Sequence, residues 1–188
     1  MTVFSLNPVR IPNCIDGGIV IFKEKEIFEK AILIRDCGID RTKFRDELGE
    51  INPDCDINLS GYSATMSDVN GYIGSQQMEH VNTLFERQRN NAERWEKMLD
   101  EEKGVFSITR KETIPNYWVY GVLSNNKRED ILRFRDKGYY ASGVHFPNNR
   151  YSAFGVREMD LLGTMDFYDR FLALPCGWWM RHEVEERP

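Results

Sequence analysis

The sequence predicts an α/β protein whose C-terminal part is a small α+β domain. A short run of β-branched and aromatic residues, Gly18–Phe22, follows a glycine and is typical of a buried strand. A long stretch of helical periodicity begins at Ser67. Beyond it, segments with strand and helix patterns alternate as far as Leu174. A small sheet packed against a long helix accounts for these patterns.

The size and composition of the chain argue against several classes of protein. Its 188 residues suffice for one domain with a core, or for one domain and a smaller companion. The net charge of −5 argues against nonspecific nucleic-acid binding, which requires a basic surface. The four cysteines form no C-x-x-C pair, so we expect reduced thiols and no metal site. No apolar run reaches about 18 residues and residues 1–20 lack a secretory pattern, so we expect a cytoplasmic protein without membrane association.

Residues 1–60 are predicted to contain one strand, one helix and a long connection. After the strand, Lys25–Cys37 is apolar at helical spacing on a broad face, and Gly38 is placed to end the helix. Residues 39–60 are polar and irregular. A connection of that length indicates a functional segment or an interface.

The longest predicted helix begins after Ser67 and extends to about Glu102. Ser67 is a favourable N-cap, and Asp68 suits the positive end of the helix dipole. A stripe at helical spacing predicts the face that packs on the core, and it consists of Val69, Ile73, Val81, Leu84, Phe85, Ala92, Trp95 and Leu99. Heptads are not sustained, so a coiled coil is disfavoured.

The rest of the chain is predicted to alternate between strands and helices. Pro115 and Asn116 mark a turn between two strands, and Pro175 follows the last helix. The predicted segments are strands at Val105–Arg110, Tyr117–Leu123 and Tyr139–His145, and helices at Asn126–Lys137 and Thr164–Leu174.

The opening of the chain carries a motif of defined spacing. Phe4-Ser5-Leu6-Asn7-Pro8-Val9-Arg10 is followed by Asp16-Gly17-Gly18. This segment resembles the Ser-Phe-His-x-x-Lys and Glu-Gly-Gly stretch of the DegT/DnrJ/EryC1/StrS family, the pyridoxal-phosphate (PLP) dependent nucleotide-sugar aminotransferases. In that family the lysine forms the Schiff base with PLP, and Arg10 stands at its position here.

Further motifs match the same family in order along the chain. They are Ile34–Asp40, Gly61–Ser67 with Ile73-Gly74 after it, Gly143–Pro147 and Leu172–Pro175. Each motif alone is weak, but together they make the resemblance specific. It implies the C-terminal part of an aspartate-aminotransferase-like (fold type I) enzyme. Residues 1–60 would be the end of the PLP-binding large domain, and residues 61–188 the long helix with the small α+β domain.

The resemblance also implies roles for individual side chains. Ser5 matches a serine that binds the PLP phosphate, and Ser63 matches an asparagine that reaches the phosphate in a neighbouring subunit. Asn7 matches a histidine beside the cofactor. His145 matches a substrate-side histidine of the small domain. Structural roles stay open as alternatives: a turn for Ser5, a capping loop for Ser63 and a satisfied strand-end position for His145.

Arg10 limits what the chain can do at that site. A nucleophilic amine must be able to lose its proton, whereas a guanidinium stays protonated in proteins. No residue of this chain is therefore predicted to be catalytic. Arg10 could still pair with a phosphate, for which its fork of donors is suited, and the alternative is a surface or interface arginine.

The expected function is that of a half or subunit of a PLP-dependent sugar aminotransferase acting on a keto nucleotide sugar. In the family, the first half supplies groups that stack on the PLP ring and pair with its nitrogen, so PLP is expected to bind only with a partner chain. That partner would be a separately encoded N-terminal half, a full-length paralogue or a second copy. Two alternatives stay open. One is a non-catalytic partner that lends structure to a related aminotransferase, and the other is a sugar dehydratase that uses pyridoxamine phosphate without the lysine.

Overall fold

The structure is a computed structural model that describes residues 1–109, 112–155 and 161–180. Contacts divide the chain into two compact units, Met1–Val81 and Asn82–Pro188. The predicted division into a large-domain part, 1–60, and a small-domain part, 61–188, stays a prediction, because the compact units reflect contacts within this chain alone.

The first unit begins with a pair of antiparallel strands, β1 (Thr2–Ser5) and β2 (Gly18–Ile21), with Val3 opposite Val20. The predicted strand is therefore confirmed. The prediction that it is buried is wrong, since every residue of β2 is exposed. Burial requires an element over each face of the sheet, and within the described parts of the chain this sheet has two strands, β1 and β2.

Helix α1 spans Lys25–Arg35, close to the predicted segment. It ends before Cys37 because that residue has a φ of 57°, outside the helical range. Gly38 N–H then donates to Leu33 O at 2.7 Å, a bond typical of helix C-termini. Gly38 is required there, because its φ is +80° and a Cβ would lie 1.8 Å from the carbonyl oxygen of Leu59.

Residues 39–60, all of them described, form an irregular connection without helix or strand, as predicted. An isolated bridge joins Arg45 and Ile51. The Asp46 carboxylate closes the turn between them by accepting from the N–H groups of Leu48 (2.9 Å) and Glu50 (2.8 Å).

The prediction of one long helix is wrong, because this segment forms two helices. Helix α2 spans Asp68–Met78, and helix α3 spans Val81–Leu99. Between them Glu79 keeps helical dihedrals (φ −63°, ψ −26°), but His80 N–H donates to Gln77 O at 3.0 Å, three residues back. A change of hydrogen-bond pattern without glycine or proline leaves no mark in the sequence.

The second unit contains a three-stranded antiparallel sheet in the order β3-β4-β5. Short 3₁₀ turns precede its last helix. The elements are β3 (Val105–Ser107), β4 (Tyr120–Ser124), α4 (Lys127–Asp136), α5 (Leu162–Arg170) and β5 (Phe171–Leu174).

Two predicted strands of this unit begin or end elsewhere. The strand predicted at Tyr117–Leu123 starts only at Tyr120, because Tyr117 has a φ of 50°. The strand predicted at Val105–Arg110 ends at Ser107, and Arg110 lies outside the described residues.

The third strand of the sheet is not the predicted one. In Tyr139–His145 the bridge is confined to Ser142, which pairs with Ala173, because Ala141 N–H turns back to Tyr139 O at 2.8 Å. The third strand is β5, which was predicted as the end of the last helix. That helix ends at Arg170, because the next residue is extended (φ −68°, ψ 129°).

The core of the second unit is formed by α3, α4 and the sheet. The Trp95 ring meets the Phe134 ring edge-on at 5.8 Å, and its indole N–H donates to Pro175 O at 2.7 Å. Of the predicted apolar stripe, Ala92, Trp95 and Leu99 are buried, whereas Val69 is 66% exposed. The stripe therefore predicts the core correctly in the C-terminal half of α3 and is wrong at Val69, while Ile73, Val81, Leu84 and Phe85 are partly buried.

Hydrogen bonds between polar side chains stabilise the edge of this core. The Glu102 carboxylate accepts from Lys137 Nζ at 2.7 Å and from Arg133. The Tyr120 hydroxyl bonds to Glu96 and Ser107, and burial raises the pKa of Tyr120 to about 12. Among the described residues, no helix combines the length and apolar character needed to cross a membrane.

Candidate functional site

The three cofactor-binding residues predicted near the start of the chain lie in one tight turn. Ser5 Oγ donates to Asn7 Oδ1 at 3.1 Å, and Arg10 N–H donates to Asn7 O at 2.9 Å. Ser5 and Asn7 are exposed, whereas Arg10 is partly buried. The turn therefore presents a hydroxyl and an amide to the surface immediately after β1.

The turn is anchored by the small interior of the first unit. In residues 1–81, all of which are described, Leu6 and Cys14 are the buried hydrophobic side chains. Leu6 N–H donates to Gly17 O (3.0 Å), and Cys14 N–H donates to Leu6 O (2.7 Å). Asn13 N–H and Nδ2 both donate to Gln77 Oε1 of α2, at 2.9 and 3.2 Å. The position of the turn is thus fixed by backbone bonds and by α2.

The loop that contains Ser63 caps the carboxyl end of α1. Tyr62 N–H donates to Ile34 O at 2.7 Å, and Ala64 N–H donates to Arg35 O at 2.9 Å. Gly61 has to be glycine for this approach, because a Cβ would lie 2.7 Å from Ile34 O. Ser63 itself is exposed, and its predicted contact with a neighbour's cofactor stays a prediction.

An ion pair stands beside that loop. Arg41 donates two hydrogen bonds to the Asp36 carboxylate, from Nε to Oδ2 at 2.7 Å and from Nη2 to Oδ1 at 2.6 Å. The backbone of Asp36 forms an isolated β-bridge with that of Ser63. The Arg41 hydrogen bond holds the pKa of the Asp36 carboxyl below its ordinary value. The pair as a whole therefore carries no net charge.

The predicted substrate-side residue, His145, lies in the second unit and lines an aromatic groove of about 650 Å³. Its imidazole stacks on the Trp118 indole, with centroids 5.8 Å apart and planes inclined by 19°. The other aromatic lining residues are Phe146, Phe167, Tyr168 and Phe171. The lining contains no aspartate, glutamate, lysine or arginine among the described residues. The groove therefore suits an uncharged ring better than a phosphate.

The sequence predicted no functional role for Lys127, which lies at the start of α4. Its ammonium donates to the carbonyl oxygen of Tyr168 and lies 4.3 Å from the centroid of that ring. Burial lowers the pKa of Lys127. The residue supports the wall of the groove from behind Tyr168.

The predicted site residues fall into local structures that the sequence could indicate only in part. Ser5, Asn7 and Arg10 are brought together in one turn, Ser63 belongs to the α1 cap, and His145 belongs to the second unit. Sequence reasoning missed Trp118 as a groove residue, because the residue was assigned to the interior of a predicted strand. The run Asn116-Tyr117-Trp118 next to a proline was the available signal.

The residues present fit PLP only in part. The Ser5 hydroxyl could donate to a phosphate oxygen, and a guanidinium, such as that at position 10, is a suitable phosphate partner. Position 10 offers no amine that can be deprotonated, so this chain does not fit PLP as a covalently held cofactor. No group of metal-ligating side chains occurs within the described parts of the chain.

Comparison with known proteins places these features in a family. Residues 1–187 match the model of the DegT/DnrJ/EryC1/StrS aminotransferase family. The sugar aminotransferase CalS13 from Micromonospora echinospora superposes on 96% of this chain with a TM-score of 0.84 and 27% identity, and the match covers 48% of CalS13. AtS13 from Actinomadura melliaura matches 96% of this chain and 48% of its own at 30% identity, with a TM-score of 0.81.

A curated relative also matches most of this chain and less than half of its own length. The dTDP-4-amino-4,6-dideoxy-D-glucose transaminase of Shigella dysenteriae is 26% identical over 154 residues, which are 78% of this chain and 38% of the transaminase. The chain thus spans about half the length, or less, of the relatives it matches. These matches confirm the predicted family and the predicted fold class, the C-terminal part of a fold type I enzyme.

Proposed function

This chain belongs to the DegT/DnrJ/EryC1/StrS aminotransferase family, and we propose that it works as one subunit, or half, of a PLP-dependent sugar aminotransferase. The assembled enzyme transfers an amino group to a keto nucleotide sugar. A partner chain supplies the lysine that binds PLP covalently. PLP is held only when that partner is present.

The observation that carries this proposal is Arg10. The turn around it keeps a hydroxyl at Ser5 and an ordered backbone bond from Arg10 to Asn7. A protonated guanidinium cannot attack the aldehyde of PLP, because it has no lone pair to donate at neutral pH. We therefore take this turn as the phosphate side of a cofactor site whose nucleophile has to come from elsewhere.

The groove around His145 supports a role in substrate binding. An uncharged aromatic wall suits the ring of a sugar or of a base, and His145 adds a group that can donate or accept a hydrogen bond. The name of the Shigella relative refers to a nucleotide-linked amino sugar, which is the aminated counterpart of a keto nucleotide sugar.

Arg10 also favours a second candidate function. A chain that has lost its nucleophile can serve as a non-catalytic partner that lends structure to a full-length aminotransferase. The dehydratase alternative has less support, because that chemistry needs a base at position 10 and arginine is a poor one.

Labelling of the cofactor tests the proposal. The tagged chain is purified from its native cells with whatever partner it retains, and is supplied with PLP, an amino donor and a keto nucleotide sugar. We expect the absorption band of a PLP–lysine Schiff base near the edge of the visible range. Borohydride should reduce this Schiff base and leave the cofactor covalently attached to a lysine of the partner. The chain alone should give neither the band nor a labelled residue. A label on any lysine of the isolated chain would contradict the proposal.

A matched pair of histidine variants separates the two candidate functions. In the active complex, His145→Ala should raise KM for the nucleotide sugar, whereas His80→Ala, an exposed histidine outside the groove, should leave it unchanged. If both variants behave like the unchanged complex, and the partner is equally active without this chain, the non-catalytic role is the correct one.

A further inference from the structure

A buried glutamine of helix α3 binds the segment that leads into the aromatic groove. The side chain belongs to Gln88, which is 5% exposed. Its Nε2 donates to two consecutive carbonyl oxygens, that of Asn116 and, at 3.2 Å, that of Tyr117. A primary amide carries two N–H donors, which matches these two acceptors. Because a buried donor is costly to leave without a partner, these bonds hold the segment against α3.

The two carbonyl groups can share one donor nitrogen because the backbone between them is not extended. In a β-strand, successive peptide groups point to opposite sides. Tyr117 instead has a φ of 50°, in the left-handed region that is unfavourable for residues with a Cβ. Such a conformation persists only where its surroundings impose it. The bonds from Gln88 to the peptide groups on either side of Tyr117 supply this constraint.

The backbone at position 117 directs two neighbouring aromatic rings. The Tyr117 ring packs on the core, where it stacks on the Tyr120 ring with centroids 5.9 Å apart. Trp118 follows directly, and its indole stacks on the His145 imidazole in the groove. A rotation of the backbone at position 117 would therefore move the Trp118 ring relative to His145.

Asn91 provides a comparison within the same helix. It lies three residues after Gln88, is 6% exposed and donates to Gly177 O at 2.8 Å. Gly177 and its chain neighbours are not among the described residues that line the groove. The two side chains thus have the same chemistry, but the carbonyl groups bound by Gln88 adjoin a groove residue and the one bound by Asn91 does not.

We infer that Gln88 is a positioning residue of the groove, because it fixes the backbone that sets Trp118 against His145. With Trp118 held there, the groove presents a flat aromatic wall to an uncharged ring of the substrate. Gln88 is not itself a lining residue and acts through Trp118. The inference rests on the proposed function, because that function makes the groove a substrate site.

Fluorine NMR of the full chain labelled with 5-fluorotryptophan tests whether Gln88 holds Trp118. The chain has four tryptophans, and Trp118→Phe identifies the resonance of position 118. Gln88→Met nearly keeps the length of the side chain and removes its donors, and Asn91→Leu does the same at the comparison site. We expect the position-118 resonance to shift or broaden in Gln88→Met and to stay in place in Asn91→Leu. An unchanged resonance in Gln88→Met, or the same change in both variants, would overturn the inference.

A milder variant covers the case in which Gln88→Met does not fold, which circular dichroism establishes. Gln88→Asn keeps the amide but shortens its reach by one methylene, so it should also move the position-118 resonance. Loss of the fold in both Gln88 variants would overturn the inference, because Gln88 would then support the fold as a whole rather than the position of Trp118.

Kinetics of the active complex test whether the position of Trp118 matters to the substrate. Gln88→Met should raise KM for the nucleotide sugar by about three- to tenfold and leave kcat unchanged, whereas Asn91→Leu should change neither constant. In a Trp118→Ala complex, adding Gln88→Met should raise KM no further, because Gln88 acts through Trp118. An unchanged KM in the Gln88→Met complex, or an equal increase when Trp118 is already absent, would overturn the inference.

The NMR measurement distinguishes a failure here from a failure of the proposed function. A position-118 resonance that moves as expected, in a chain whose complex transfers no amino group, contradicts the proposed function and leaves the positioning of Trp118 standing. An active complex whose Gln88→Met variant keeps both the resonance and KM overturns the inference and leaves the proposed function standing.

Discussion

Strands β2 and β5 are both four residues long and almost wholly apolar, yet they differ completely in burial. In β5, Leu172 and Leu174 are fully buried and Ala173 is 3% exposed. In β2, every residue is exposed. Strand β5 belongs to a three-stranded sheet packed in a core with two helices, whereas β2 has one partner strand. An apolar run therefore predicts a strand that is suited to burial, and its neighbours decide whether it is buried.

The helices repeat this contrast. Helix α3 buries Trp95 and Leu99 against the sheet of its own unit, whereas α1 buries none of its residues. Both helices have apolar positions at helical spacing. The described part of the second unit has a packed core of its own, whereas in the first unit Leu6 and Cys14 are the buried hydrophobic side chains.

The largest expected effect comes from shortening the same kind of side chain in the two strands. Leu172→Ala should lower the free energy of unfolding by about 2–5 kcal/mol, because it leaves a cavity in the core of the second unit. Ile21→Ala should change the unfolding of the free chain by less than about 0.5 kcal/mol, since that side chain is 54% exposed. Urea unfolding followed by circular dichroism measures both. Similar losses for the two variants would remove the contrast between the strands.

A pair of glycines tests how the first unit is held together. Gly38 and Gly49 have similar φ values of +80° and +83°, but a Cβ at position 49 would meet nothing within 4 Å. Alanine at either position costs about 1 kcal/mol in backbone strain. Gly38→Ala should cost about 1–3 kcal/mol more, because its Cβ would collide with a backbone oxygen that cannot move freely. Hydrogen exchange of the α1 amides is the measurement, and equal acceleration in both variants would show that the α1 cap is not tightly packed.

The smallest effect concerns the ion pairs of the second unit. Hydrogen bonds from Lys137 and Arg133 hold the pKa of Glu102 below its ordinary value of 4.5. A depressed carboxyl pKa contributes stability that is complete above that ordinary value and is lost as pH falls through the lower, folded-state pKa. Glu102→Gln should therefore lower the free energy of unfolding by about 1 kcal/mol at neutral pH, a figure that allows for the partial exposure of the partners. In strong acid the substitution should not change the free energy of unfolding.

The neighbouring Glu101→Gln is the control for this prediction, because Glu101 is exposed. Unfolding curves between about pH 7 and pH 3 measure both variants, a range that spans ordinary carboxyl pKa values. A cost for Glu102→Gln that is constant across this range would show that the ion pairs do not produce it.

The sequence predicted the elements that local signals determine. Ser67 was predicted to cap a helix and does so by accepting from Asn70 N–H at 3.2 Å. Gly38 was predicted to end α1 and lies in the turn that closes it. These features depend on residues within a few positions of each other, so spacing alone was sufficient.

The sequence could not predict features that depend on distant contacts. Phe171–Leu174 reads equally well as the end of an apolar helix, and it becomes β5 because Tyr120 pairs with Leu174 far away in the chain. The burial of β2 was predicted from its own composition, whereas exposure depends on the elements that surround it. The groove beside His145 combines residues 118–119, 144–148 and 164–171, so no single motif indicated it.

Hydrogen exchange of the free, monomeric chain tests the central claim most directly, namely that β4 and β5 are packed in a core formed by this chain whereas β1 and β2 are not. The account predicts that amides of β4 and β5 exchange at least about a hundredfold more slowly than those of β1 and β2, since exchange protection follows local packing. Sedimentation of the same sample establishes that the chain is monomeric. Equal protection of the two sheets in the monomer would contradict the account.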